Sequence, residues 1–206
     1  MTDGWLTLPG MARAPSPNHN ARPPGTVIDL LVIHNISLPP GEFGTGLITD
    51  LFLNQIDISV HPWLENVRGL EVSSHFLIER HGQLTQFVSC HDRAWHAGVS
   101  VFDGRQACND FSIGIELEGT DDLPFTAAQY DKLLSLTLEL RSLYPLNHVR
   151  GHSDIAPGRK TDPGQCFDWA GYARDAGWSE QALPEHTQDV TANSAPPSNI
   201  PTNPTT

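Results

Sequence analysis

The chain is short of cysteine, of positive charge and of long apolar runs, and each shortage narrows the class of protein it can be. Three cysteines occur in 206 residues. Cys90, Cys108 and Cys166 are odd in number, far apart and without a C-x-x-C pair. That pattern argues against a disulfide framework, and a reducing compartment, the cytoplasm, is the simpler expectation. Lys and Arg number 12 against 24 Asp and Glu, a formal charge of −12. Nucleic acid and anionic membrane surfaces both need concentrated positive charge, so neither is expected as a partner. Residues 1–10 carry Asp3 and no basic stretch, and no apolar run follows them, so no export signal and no membrane span are expected. The local zinc signature H-E-x-x-H is also missing.

What is present suits one compact domain with a tail. Apolar residues make up 38% of the chain, and ten histidines make a metal or acid–base site worth seeking. Residues 179–206 contain five prolines, much Thr, Ser and Asn, and no aromatic residue. Such a segment buries too little apolar surface to offset its ordering entropy, so the expected division is a domain over 1–178 and a disordered tail over 179–206. His19 and His186 lie in polar, proline-containing stretches and are expected to be exposed.

Within the body, Ile28 to Ile33 is a nearly continuous apolar run, expected to be a strand buried on both faces and ending at His34. Further strands are predicted over 72–78, 84–88 and 147–150, with Gly82 as a turn. In 112–118 Ile113, Ile115 and Leu117 alternate with Gly114, Glu116 and Glu118, two faces of one strand. Thr126 reads as the N-cap of a helix that Pro145 ends, and residues 167–176 as a last helix. The long stretch 35–71 is a lid or an ordinary surface excursion, with a short helix over 51–58. The expected fold is α/β: a central mixed β-sheet flanked by helices.

Chemistry-bearing groups concentrate in the loop 151–164, which places His152, Asp154, Lys160 and Asp162 just after a strand. From composition alone a solvated charged loop is the commoner reading. His34, where an apolar run meets polar residues, is a chain reaching water or a ligand at a strand end. Glu116 and Glu118, taken singly, read as solvated, and Trp95-His96-Ala97-Gly98 as a packed turn. A catalytic zinc takes about three protein ligands and keeps one position open, which makes two histidines and a carboxylate a plausible set.

These motifs are in register with a known family. V-I-H-N-I-S-L-P-P-G-E-F (32–43), R-A-W-H-A-G-V-S (93–100), C-N-D-F-S-I-G-I-E-L-E-G-T-D (108–121) and G-H-S-D-I-A-P-G-R-K-T-D-P-G (151–164) resemble the AmpD amidases. The wider superfamily includes phage lysozyme-amidases and peptidoglycan recognition proteins. The likeness runs from about Trp5 to Trp178. It implies one zinc ion on His34, His152 and Asp162, with Glu116 and Lys160 as catalytic partners. The implied reaction is hydrolysis of the amide between the lactyl group of 1,6-anhydro-N-acetylmuramic acid and L-alanine, in muropeptides being recycled. It also implies Asn35, His75, Trp95, His96, Ala97 and Asn109 as substrate contacts and a small muropeptide as the partner; a monomer is expected, although the sequence does not fix the oligomeric state. Two departures stand out. Ser74 occupies a position where many superfamily relatives have tyrosine, and Glu71 and Ala107 replace arginines of some relatives. A non-catalytic peptidoglycan-binding module and an amidase of polymeric wall are the alternatives.

Overall fold

The computed structural model describes residues 3–185. In chain order its elements are strands β1 (Ala12–Arg13), β2 (His19–Ala21) and β3 (Leu30–Ile36), then helix α1 (Leu47–Phe52). Strands β4 (Phe76–Ile78), β5 (Leu84–Gln86), β6 (Asp92–Ala94), β7 (Val101–Phe102), β8 (Arg105–Gln106) and β9 (Ser112–Glu118) follow. Helix α2 (Ala127–Leu143), strand β10 (His148–Gly151) and helices α3 (His152–Ile155) and α4 (Trp169–Ala176) complete the domain. Six strands form one mixed sheet in the order β1-β5-β4-β9-β3-β10. Strand β9 runs parallel to both of its neighbours, whereas β4 and β5 form an antiparallel hairpin. The α/β expectation therefore holds.

The alternation in β9 divides the sheet. Ile113, Ile115 and Leu117, with Leu31, Ile33, Phe76 and Ile78, form one face and pack in one cluster with Leu133, Leu136 and Leu140 of α2 and Trp169 and Tyr172 of α4. Burying such side chains stabilises the fold by roughly 1.5–3 kcal/mol each, which fixes the register, because a one-residue slip would turn these groups to the other face. Helix α2 starts where Thr126 and Gln129 form a reciprocal capping box, a device worth about 1 kcal/mol. The opposite face carries two smaller apolar clusters, one with α1 and Leu77, the other with Leu30, Val32 and Ile155. That same face carries His34, Gly114, Glu116 and Glu118, since His34 pairs with Glu116 and Ile36 with Glu118 across β3 and β9.

Four expectations need correction. Strand β3 does not end at His34 but continues through Ile36, because β9 extends the hydrogen-bonded ladder beside it. Glu116 and Glu118 are not solvated: they are 8% and 2% exposed. Glu118 is held by backbone amides, its carboxylate accepting from Gly44 N–H at 2.6 Å and Arg80 N–H at 3.0 Å. Residues 179–185, expected in the tail, include a 3-10 turn over Glu180–Ala182 and bury Ala182 and Leu183 in the main core. The remainder of the expected tail, with His186, lies outside the described residues; His19 is exposed as expected. In the 35–71 stretch the helix falls at Leu47–Phe52 rather than 51–58, and 3-10 turns follow at Ile58–Val60 and Pro62–Val67. Among the described residues no helix is long and apolar enough to cross a membrane.

Candidate metal centre and active site

Strand pairing brings distant histidines together. Strand β10 lies parallel to β3 with Gly151 opposite Ile33, so His152, the next residue, leaves the sheet beside His34. The loop after α3 then returns, and Ser153 N–H donates to the Asp162 carbonyl at 2.9 Å, holding Asp162 against the start of that helix. Gly164 is required there: its φ is +82°, and a Cβ would lie 2.2 Å from Asp121 Cα. Asp121 is itself tied to β3 by Asn35, whose amide donates to its carboxylate at 2.7 Å.

The result is a tight set of donor atoms. His34 Nδ1 lies 3.0 Å from His152 Nδ1 and 3.0 Å from Asp162 Oδ2, and His152 Nδ1 lies 3.1 Å from the same oxygen. Donors on a tetrahedral ion with bonds of about 2.0–2.1 Å stand roughly 3.3 Å apart, so this triangle fits zinc. His152 Nε2 donates to the Ala97 carbonyl at 3.0 Å. A carbonyl can only accept, so the tautomer that makes this bond carries its proton on Nε2 and leaves the Nδ1 lone pair free, while Arg159 Nη2, 3.3 Å from Nε2, donates to the same carbonyl at 2.7 Å. Burial pushes the His34 imidazole down to about 4, so it is neutral near pH 7. Burial works the other way on Asp162, but the two histidine rings beside it outweigh it and hold the carboxyl below its usual range. Neutral imidazoles and an ionised carboxylate are the forms that bind a metal.

Glu116 stands beside this triangle, with Oε1 3.9 Å from His34 Nδ1. Its Oε2 is buried and has no hydrogen-bond partner among the described residues. An orphaned carboxylate oxygen is costly unless a ligand or water completes it, which fits a site meant to be filled. Burial, reinforced by the Asp162 charge, raises the Glu116 carboxyl well above its normal range, while Lys160 partly offsets the rise. Lys160 itself is exposed, on the loop that carries Asp162.

The expected substrate contacts have varied surroundings. Trp95 is half-buried, its indole N–H donating to Asn20 at 2.8 Å. Asn109 accepts from the backbone N–H groups of His96 and Ala97 at 3.1 and 2.8 Å, and so shapes their turn. His75 is fully buried, its Nδ1 accepting from Gly114 N–H at 3.0 Å. Both ring nitrogens of His96 lie within hydrogen-bond range of protein groups. Ser74 is completely buried. Sequence reasoning missed Arg22, whose guanidinium donates to the carbonyls of Cys90, Asn109, Asp110 and Ser112 at 2.7–3.2 Å. Burial pushes its pKa down to about 10. A lone arginine before two prolines carries no sequence signal for such a role.

The buried histidines make acid stability testable. His34, His75 and His96 are all shifted down, with burial as the largest cause. A lowered folded-state pKa means that the unfolded chain binds protons first. The associated stability is complete above pH 6.5 and is lost as pH falls towards 4. For His34 alone the limit is about 3 kcal/mol. Glu116, shifted up by burial, works the other way, its unfavourable contribution being relieved as pH falls. Thermal denaturation of metal-free Glu116→Gln protein, in which that opposing titration is absent, is expected to show Tm falling steadily between pH 6.5 and 4.5; a flat profile would refute the neutral buried histidines.

Comparison with known proteins agrees with this geometry. A family model described as N-acetylmuramoyl-L-alanine amidase matches residues 24–165. The Escherichia coli enzyme 1,6-anhydro-N-acetylmuramyl-L-alanine amidase AmpD is 53% identical over 172 residues, covering 82% of this chain and 93% of that protein. A crystal structure of an AmpD selenomethionine derivative superposes with a TM-score of 0.80 at 52% identity, covering 84% of this chain and 96% of that one. The E. coli amidase AmiD, solved with anhydro-N-acetylmuramic acid-L-Ala-D-gamma-Glu-L-Lys, gives 0.56 at 27% identity, covering 87% and 70%. The matched span takes in β3, β9 and the 151–164 loop, and the chain belongs to the N-acetylmuramoyl-L-alanine amidase family.

Proposed function

We propose that this amidase cleaves the amide between the lactyl group of 1,6-anhydro-N-acetylmuramic acid and L-alanine in soluble muropeptides, as a monomer in the cytoplasm, during cell-wall recycling. It uses one zinc ion held by His34, His152 and Asp162. The observation that carries the chemistry is the convergence of their three donor atoms within 3.1 Å beside an unpartnered Glu116 oxygen. The anhydro sugar is supported by the activity for which the E. coli relative is named and by the ligand of the AmiD complex.

When bound, zinc supplies a Lewis acid for the amide carbonyl and lowers the pKa of its water towards about 7. Two neutral imidazoles and one carboxylate leave the centre a single net positive charge, which preserves that acidity. Glu116 is placed to take a proton from the attacking water and deliver it to the departing L-alanine amine, and its raised proton affinity suits both halves of that task. Lys160 is near enough to influence the charge of Glu116 and His34, and its ammonium stabilises the developing oxyanion. Trp95 offers a half-buried indole face for the sugar or peptide.

The test is to incubate zinc-loaded protein with anhydro-muramyl-tripeptide and with intact sacculi, with and without chelator, reading products by mass spectrometry. Anhydro-sugar and free peptide, lost on chelation and absent from sacculi, are expected. Comparable release of peptides from sacculi would overturn the substrate assignment, and binding without cleavage would make the chain a recognition module.

A further inference from the structure

We propose that His96 is a positioning residue of the metal centre, acting with Ser112 to present His34 through Nδ1. The inference rests on the zinc reading above and adds a role for a residue expected to touch substrate. A histidine that binds metal through Nδ1 must carry its proton on Nε2, and that N–H needs an acceptor in a buried site. His34 is 1% exposed, and the atom facing its Nε2 is His96 Nδ1, at 2.9 Å. The opposite nitrogen, His96 Nε2, lies 3.2 Å from Ser112 Oγ. One chain of donors satisfies all three groups: His34 Nε2–H donates to His96 Nδ1, and His96 Nε2–H donates to the Ser112 hydroxyl oxygen. The reversed chain puts a proton on His34 Nδ1, the atom the metal needs, so metal binding and the direction of this chain are coupled.

The ring is built into place. The His96 imidazole lies directly over Gly114, where a Cβ would come within 2.6 Å of its Cγ and Nδ1. Its ring meets that of His34 edge to face, with centroids 5.0 Å apart and planes at 86°. Asn109 fixes the backbone on the C-terminal side by accepting from His96 N–H and Ala97 N–H. The Ala97 carbonyl is in turn the acceptor for His152 Nε2–H. The turn 95–98 thus orients both histidine ligands, one through a side chain and one through a carbonyl.

Zinc affinity by chelator competition on wild type, His96→Leu and His96→Asn tests this, together with nitrogen-15 NMR of histidine-labelled, zinc-loaded wild type. Removing an outer hydrogen-bond partner typically costs 10–100-fold in metal affinity, and that loss is expected for His96→Leu. Asn restores an acceptor at the position of Nδ1 and is expected to recover most of it, which a purely packing role would not produce. The wild-type spectrum should show His96 with a bare Nδ1 and a protonated Nε2. That measurement stands even if His96→Leu fails to fold. A His96 protonated on Nδ1, or zinc affinity in His96→Leu within twofold of wild type, would overturn the inference. Wild type that binds no zinc would instead overturn the metal reading itself, and the inference with it.

Discussion

Asp162→Ala is expected to lose bound zinc and amidase turnover together, leaving less than about a thousandth of wild-type rate. Asp162 supplies the only anionic donor of the triangle, with Oδ2 3.0 and 3.1 Å from the two imidazole nitrogens. Without it, two neutral imidazoles face a dication in a largely buried site, and nothing offsets its desolvation. The loop itself should survive, because its anchor is the Asp162 backbone carbonyl accepting from Ser153 N–H, which alanine keeps. Metal analysis after dialysis, beside a turnover assay on anhydro-muramyl-peptide, decides the matter. Stoichiometric zinc with preserved turnover would remove Asp162 from the ligand set.

Glu116→Gln is expected to separate the two properties, retaining zinc while turnover falls about 10²–10⁴-fold. Glutamine keeps the shape of the side chain on β9 and its packing, but it cannot accept and return a proton. Glu116 Oε1 is 3.9 Å from His34 Nδ1, farther than any separation within the donor triangle. Its removal therefore leaves the ligands in place. Near-full turnover of Glu116→Gln would assign the proton transfer to another group. Loss of zinc in parallel with rate would instead make Glu116 part of the metal site. Together the two substitutions distinguish a missing metal from a missing proton carrier.

Much of the architecture was legible in the sequence because periodicity reports burial directly. The alternation of Ile113, Ile115 and Leu117 with Gly114, Glu116 and Glu118 predicted β9 with its observed bounds. Thr126 marked the start of α2 because a hydroxyl three residues before Gln129 satisfies otherwise orphaned amides. The family motifs carried the identity of the enzyme, since four long segments in register are far more specific than any single spacing. The boundary at 178 was misread because composition alone undervalues Ala182 and Leu183, two small-to-medium apolar groups that a short turn carries into the core.

The sequence by itself determined the central strands, the principal helices and the residue types available for chemistry, because those depend on neighbours a few positions apart. The short strands β1, β2, β6, β7 and β8 went unread, and the expected 72–78 strand covers only Phe76–Ile78. Only the tertiary structure decided which residues share a site. Parallel pairing of β10 with β3 and of β3 with β9 sets His152, His34 and Glu116 side by side, although they are far apart in the chain. It also decided environment. Glu116 and Glu118 look alike in the strand, yet one has an oxygen beside the donor triangle with no partner among the described residues and the other is bound by two backbone amides. Arg22, Asn109 and His96 owe their roles to atoms supplied by other segments, and local sequence carries no trace of them. Long-range packing sets solvation, and solvation and partners together decide whether a polar side chain is a structural tie, a ligand or a proton carrier.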